Sequence, residues 1–235
     1  MAFITYEYPP DTGKGGIGTY TKQVADVLGR QGWDVHVFAG SHHRQCENYE
    51  NNIHIHWVRC DSPHDFRLKV LPVFQSEHSG KAFELMESPE IHGNAWEIKK
   101  AFPQVPLIVR FHAANWLVER LKKKYSSFTS RLRFVLGALL RGRWDLGYWR
   151  KYDYRNDPDY QFCLLADAMA APSEAMIKWV AHNWKLRVPG IKLIPNLFVA
   201  PGALLQLPVP EKAIYKKIVF FGRLNVLKGL VNATL

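Results

Sequence analysis

The sequence predicts an α/β fold: a parallel sheet with helices on both faces. Three observations carry this. Short apolar runs alternate with segments of helical period from the N-terminus to about Asn196. The runs are nearly continuous in apolar residues, as strands buried on both sides are, rather than alternating apolar with polar. The chain has 235 residues, 47% hydrophobic and 22% charged, enough for one large domain, or one domain and part of another.

The elements follow in order. "AFITYEY" reads as a first strand. Ile17, Tyr20, Val24, Val27 and Leu28 then recur at helical spacing, and "GRQG" ends that helix. "WDVHVFAG", "IHIHWVRC" and "FELMES" (Phe83 to Ser88) read as the second, third and fourth strands, and a short helix runs through Trp96 and Ile98. "PLIVRFHA" is an apolar strand that ends at a histidine. "ADAMAAPS" and "IKLIPN" are two further strands around the helix "SEAMIKWVAHNWK". Its Ser173 and Glu174 fit an N-cap serine and an acidic first turn. After Asn196 the prolines and glycine of "LFVAPGALLQLPVPEKA" read as a linker. "KKIVFFGRLNVLKG" then starts a new strand and loop. The expected organisation is a domain over 1–200, a linker over 201–216 and the first element of a second domain over 217–235.

No apolar run reaches the roughly 18–20 residues that span a bilayer. "MAFITYEYPP" lacks the basic start and the long apolar stretch of a signal peptide. Cys46, Cys60 and Cys163 lie far apart with no C-x-x-C, which argues against a zinc ribbon, a dithiol site or a disulfide framework and fits a reducing cytosol. The net charge of +10 is concentrated. Arg120 to Arg155 holds eleven Lys or Arg against Asp145 and Asp153, so a negatively charged partner should meet the protein there. The cations are interleaved with Phe, Leu, Trp and Tyr, a pattern that suits an anionic membrane surface. A solvated helix face with buried aromatics explains it equally. Nucleic acid is not expected, because no recognised binding module surrounds the segment.

"EYPPDTGKGGIGTY" (Glu7 to Tyr20) places four glycines directly before a helix. Beyond the carboxyl ends of parallel strands, a helix N-terminus offers free N–H groups and a positive dipole end, and glycines let a phosphate come close. Gly13 to Gly18 also fit G-x-G-x-x-G. A dinucleotide fold further needs the first glycine to follow the strand closely and an acid to end the second strand. Here "PPDT" intervenes and the second strand ends "VFAGSHHR", without an acid. An NADP-type site could use Arg44 instead, so an NAD(P)-binding oxidoreductase stays as one alternative, and a non-catalytic module that binds membrane or carbohydrate is the other.

Several stretches, taken in order, resemble one family. "PPDTGKGGIGTYTKQVADVLGRQGWDVHVFAG", "FELMESPEIHG", "PLIVRFHA", "ADAMAAPSEAM" with "KLIPN", and "VFFGRLNVLKG" resemble glycosyltransferase family 4, whose fold is GT-B. The resemblance implies a Rossmann-like acceptor-side domain, followed by the start of a second Rossmann-like domain that holds a nucleotide-sugar donor. It implies hexosyl transfer with retention and without a metal, in polysaccharide biosynthesis or a similar pathway. The nucleotide sugar enters as substrate, and no cofactor is expected. The acceptor would be a glycan or a lipid-linked glycan. The protein would be cytoplasmic, or peripheral on the inner membrane face.

Site residues carry over one by one. Gly15 and Gly16 are similar to the family's glycine pair near the donor diphosphate. His112 is similar to its histidine at the end of the "VRFH" strand and is the catalytic candidate. Arg223 and Lys228 are similar to the pair that binds the donor diphosphate, where two fixed cations stabilise the departing group. Glu87, Glu90 and Asn196 fall at strand ends and are expected at the acceptor or the cleft. The family's Glu-x7-Glu element does not occur in this chain, so the polypeptide alone is expected to transfer no sugar. No metal ligands are assigned. His54 and His56 share a strand face, and the sequence shows no third ligand beside them.

Overall fold

The computed structural model describes residues 1–13, 15–113, 115–144, 152–187, 190–200 and 202–206. They fall in two compact units: Met1–Ala114 with Asp153–Val199, and Asn115–Tyr152 with Ala200–Leu235.

The strands among the described residues all belong to the larger unit. They are β1 (Ala2–Thr5), β2 (Val35–Ser41), β3 (Cys46–Glu50), β4 (Ile53–Arg59), β5 (Met86–Pro89), β6 (Leu107–Arg110), β7 (Ala168–Ala171) and β8 (Ile191–Leu193). The helices are α1 (Gly16–Arg30), α2 (Pro63–Gly80), α3 (Trp96–Ala101), α4 (Asn115–Tyr125), α5 (Phe128–Leu139), α6 (Pro158–Cys163), α7 (Glu174–Trp184) and α8 (Gly202–Leu205). The sheet order is β3-β4-β2-β1-β5-β6-β7-β8. Every pairing is parallel except that of β3 with β4. Phe3 of β1 lies opposite Val37 of β2 on one side and Glu87 of β5 on the other.

The two-residue period of the strands sorts the core into two layers. Ala2, Ile4, Phe38, Leu107 and Val109 cluster with Phe66, Val70 and Phe74 of α2, Ile98 of α3, and Val180 and Trp184 of α7. Phe3, Val37, Ile55 and Trp57 cluster instead with Ala25 of α1, against which Val24 and Leu28 pack. Helices therefore cover both faces, as the apolar strands predict. Ser173 caps α7 by accepting from the Met176 N–H at 3.2 Å, as expected.

Two elements depart from the sequence reading. The sheet is not wholly parallel: β3, "CENYE", is an exposed antiparallel edge strand. Its polar residues hide it from an apolar-run criterion. Asn51 and Asn52, both at positive φ, make the tight turn into β4, a conformation Asn tolerates well. Charged residues on such an edge discourage pairing with another chain. The second departure is α2, which the reading passed over. Pro72 lies inside it and its amphipathicity is weak, so it reads as broken. Its signal was Phe66, Val70 and Phe74 at four-residue spacing, all buried. Ser62 caps α2 through the Asp65 N–H at 3.2 Å, and Pro63 starts it.

In the smaller unit, the turn between α4 and α5 is tied by Arg131. It donates to the Lys123 carbonyl at 2.6 Å and to Ser126 Oγ at 2.9 Å. Phe128, Leu140 and Trp144 are 72%, 90% and 74% exposed. Of the predicted linker, residues 202–206 are described, with α8 over Gly202–Leu205. The predicted second-domain segment, 217–235, lies outside the described residues.

Candidate functional site

In a parallel sheet the C-terminal ends of the strands share one edge, where ligands of such folds bind. The loop after β1, the end of β5, the residues after β6 and the residues after β8 all lie on that edge. They bring together most of the residues singled out from sequence.

The glycine loop closes tightly on itself. Thr12 Oγ1 donates to the Gly40 carbonyl at 3.0 Å and accepts from the Tyr8 N–H at 3.1 Å. A Cβ on Gly13 would run into backbone atoms of Tyr8 and Pro9, and one on Gly18 would come 3.1 Å from the Glu7 carbonyl oxygen. A Cβ on Gly15 would meet Glu7 Oε2 at 2.8 Å. Gly16 differs: a Cβ there meets nothing within 4 Å. It is the first residue of α1, whose N-cap, Gly15, makes no side-chain cap and whose first turn carries no acid. The first N–H groups of a helix have no intrahelical partner. Thus Gly13 and Gly18 are explained by close backbone packing within the chain, whereas Gly15 meets only the movable end of Glu7 and a Cβ on Gly16 would stand in open space.

Next to this loop lies a cluster that joins α1 to β5, to the end of β6 and to the chain after β8; Glu87 is the second residue of β5 rather than at its end, as the sequence suggested. The Tyr20 hydroxyl, on α1, donates to Glu87 Oε1 of β5 at 2.9 Å. The Arg110 guanidinium at the end of β6 sits over the Tyr20 ring, 4.7 Å from its centroid. Arg110 also donates to the Ile194 carbonyl at 2.6 Å and to Asn196 Oδ1 at 2.9 Å, which anchors the chain after β8. The His112 ring meets the Tyr20 ring edge-on at 5.1 Å. Tyr20, Glu87 and His112 border a cavity of about 10 Å³, close to the space of one water.

The environment sets the protonation states. Burial, and then the Arg110 charge, lower the His112 pKa to about 4, so its imidazole is neutral near pH 7. Burial raises the Glu87 pKa, against the pull of its Tyr20 hydrogen bond and of Arg110. Burial raises Glu90 furthest, to about 8.

Glu90 corrects the expectation that it faces a cleft. It is 0% exposed, and its carboxylate accepts the N–H groups of His112 and Ala113. It therefore positions the chain around His112. Asn196 is exposed but is oriented by Arg110. Arg223 and Lys228 lie outside the described residues. Arg44, the candidate for a 2′-phosphate, is 3.4 Å from Asp11 and lies over the Trp57 ring at 5.2 Å. The sequence reading missed Tyr20 and Arg110. The signal for Arg110 was a charge inside an otherwise apolar strand, which buries only with partners.

The histidines also need correction. His36 of β2 joins His54 and His56, so a third imidazole is present. His36 Nδ1 and His56 Nε2 are 2.9 Å apart, and the His36 ring stacks on both others, at 4.5 and 5.1 Å. Donor atoms of Asp34, His36 and His54, and of His36, His56 and Glu77, come within 4.8 Å of one another. Burial lowers His36, and lowers His56 to about 4. The 2.9 Å contact makes each of these two rings the other's hydrogen-bond partner.

The family model for Glycosyltransferase Family 4 matches residues 14–198. The sequence has no significant match among curated proteins. Sucrose-phosphate synthase from Thermosynechococcus elongatus superposes with a TM-score of 0.56 at 15% identity, over 88% of this chain and 53% of that one. A second solved chain of the same synthase gives a TM-score of 0.50 at 12% identity, over 83% of this chain and 87% of that one. The fold is therefore that of GT-B glycosyltransferases. This chain spans about half the length of the first synthase structure it matches.

Proposed function

We propose, from the premise that this chain belongs to glycosyltransferase family 4, that it is the acceptor-side part of an enzyme that transfers a hexose from a nucleotide sugar. The acceptor is a glycan or lipid-linked glycan, and transfer proceeds with retention and without a metal. The observation that carries the reading is the pairing of the α1 N-terminus, where a Cβ on Gly16 would meet nothing within 4 Å, with the Tyr20–Glu87–Arg110–His112 cluster on the same sheet edge.

In this reading the N–H groups at the start of α1 receive the donor diphosphate, where the dipole favours negative charge. His112, neutral and held by Glu90, offers an imidazole N–H to the donor sugar. Arg223 and Lys228 stabilise the charge that gathers on the diphosphate as the sugar–phosphate bond breaks. Glu87 and Asn196 orient acceptor hydroxyls. Without a Glu-x7-Glu element, the 235-residue polypeptide binds but does not turn over, and sugar transfer by the purified chain would overturn that clause.

The same proposal places the basic segment, Arg120 to Arg155, against an anionic membrane surface, which makes the protein cytoplasmic and peripheral. Exposed Phe128, Leu132 and Leu136 beside arginines support this. No helix among the described residues is long and apolar enough to cross a membrane.

The test is equilibrium binding with EDTA present. UDP, ADP, GDP, NAD⁺ and NADP⁺ are each titrated into the protein. The reading predicts that at least one nucleoside diphosphate binds and that neither dinucleotide does. Binding of NADP⁺ or NAD⁺ alone would replace it with the oxidoreductase.

A further inference from the structure

We infer that the cavity between α1 and the β3–β4 hairpin is a second sugar site, which takes a neutral pyranose ring of the acceptor glycan. The assignment to an acceptor rests on the glycosyl-transfer reading; the ring-binding site itself does not. The cavity measures about 450 Å³, within the range of small-molecule sites. It shares no lining residue with the Tyr20–Glu87–His112 cluster.

Three features define its ligand. The first is a wall of mixed character. Asn48 and Glu50 of β3 lie opposite Ile55 and Ile53 of β4, on the sheet face that carries Trp57. A sugar ring needs this combination: apolar surface for its C–H groups and carboxamide or carboxylate groups for its hydroxyls.

The second feature is Tyr8. It lines the cavity, is 1% exposed, and its hydroxyl finds no hydrogen-bond partner among the described residues. Buried hydroxyls are normally paired, because leaving one unpaired costs stability. The hydroxyl is itself sealed from solvent, so a ligand hydroxyl satisfies it after a small shift of the cavity wall.

The third is charge. Lys22 and Arg44 line the cavity, but Lys22 is 3.6 Å from Asp26 and Arg44 is 3.4 Å from Asp11. Glu50 adds a further negative group. The two cations are already compensated, so the site favours a neutral polyol over a phosphate.

The experiment titrates methyl α-glucopyranoside, methyl α-mannopyranoside, methyl α-galactopyranoside and inorganic phosphate into the full chain, with ligand-observed NMR as the readout and UDP titrated in parallel. We expect at least one glycoside to bind. Tyr8→Phe and Asn48→Ala should each weaken it about fivefold, the effect of one lost hydrogen bond. Tyr8→Phe should not lower the melting temperature, since it removes an unpaired hydroxyl. UDP should neither compete with the glycoside nor respond to either substitution. The inference falls if no glycoside binds, if both variants bind it as wild type does, if UDP displaces it, or if phosphate alone binds and Arg44→Ala abolishes that. Glycoside binding without UDP binding keeps this site and removes support for the donor reading; UDP binding without glycoside binding does the reverse.

Discussion

The Glu90 carboxyl group accepts the backbone N–H of His112 on both of its oxygens, each at 3.0 Å. The Ala113 N–H adds a bond at 2.8 Å. A residue after β5 thus fixes the turn after β6 that sets the His112 ring beside Tyr20. Glu90→Ala leaves two N–H groups without their acceptor in a buried place. We expect a loss of about 2–4 kcal/mol. Glu90→Gln keeps one acceptor oxygen and should cost about half as much. Urea unfolding of both variants checks this; a loss below ~0.5 kcal/mol for Glu90→Ala would contradict it.

The pH dependence of stability has two opposing limbs. His56 and His112 have native pKa values of about 4, below the ordinary 6.5. The unfolded chain therefore binds more protons between these values, and stability is lost as pH falls from about 6.5 toward 4. Glu90 has a native pKa of about 8, above the ordinary 4.5. Its contribution is full below about 4.5 and is lost as pH rises toward 8. Glu90→Gln should accordingly flatten the decline between about pH 6 and 8 and leave the acid limb unchanged. Urea midpoints across a pH series measure both limbs. An unaltered slope from pH 6 to 8 would contradict the assignment.

Arg110 holds the carbonyl of Ile194 and Asn196 Oδ1 while it lies over Tyr20. Arg110→Met removes a buried cation beside Glu87 and strands two acceptors. We expect a loss of about 3 kcal/mol or more. The charge of Arg110 also helps to lower the His112 pKa, so that pKa should rise in the variant, as read by imidazole NMR titration. No change would mean that burial alone sets it, and a fall would contradict the role of the Arg110 charge.

The basic segment gives a prediction of its own. The protein should co-sediment with vesicles rich in anionic lipid and not with neutral vesicles, and salt should weaken the interaction. Arg131 already ties the α4–α5 turn internally, so Arg133 and Arg141 are the charges to neutralise. Equal sedimentation with both vesicle types would exclude the membrane role.

Much of the fold could be read from the sequence because its strands are buried on both faces, and burial writes itself as apolar runs. "PLIVRFHA" and "ADAMAAPS" needed no neighbours to be recognised. What escaped the reading depends on partners far along the chain. β3 is a strand only because β4 pairs with it, and α2 persists through Pro72 because Phe66, Val70 and Phe74 are buried. The site divides in the same way. Gly16 and His112 are candidates on local pattern alone. The partnership of Tyr20 with Glu87, 67 positions away, and of Arg110 with Asn196, 86 positions away, requires the folded chain. Glu90 looked like an acid at a strand end, and only its burial reveals a positioning role.

Gly16→Pro tests most directly whether the first N–H groups of α1 hold the donor diphosphate. Gly16 is the first helical residue, Gly15 before it is extended at φ −129° and ψ −173°, and nothing lies within 4 Å of the Gly16 Cβ position. Proline is tolerated at that position and after an extended residue, yet it lacks the N–H. Calorimetric titration should use the tightest binder among UDP, ADP and GDP. The account predicts that Gly16→Pro melts within a few degrees of wild type and binds that nucleotide about tenfold more weakly, in line with one lost charge-assisted hydrogen bond. Equal affinity in the two proteins would contradict it.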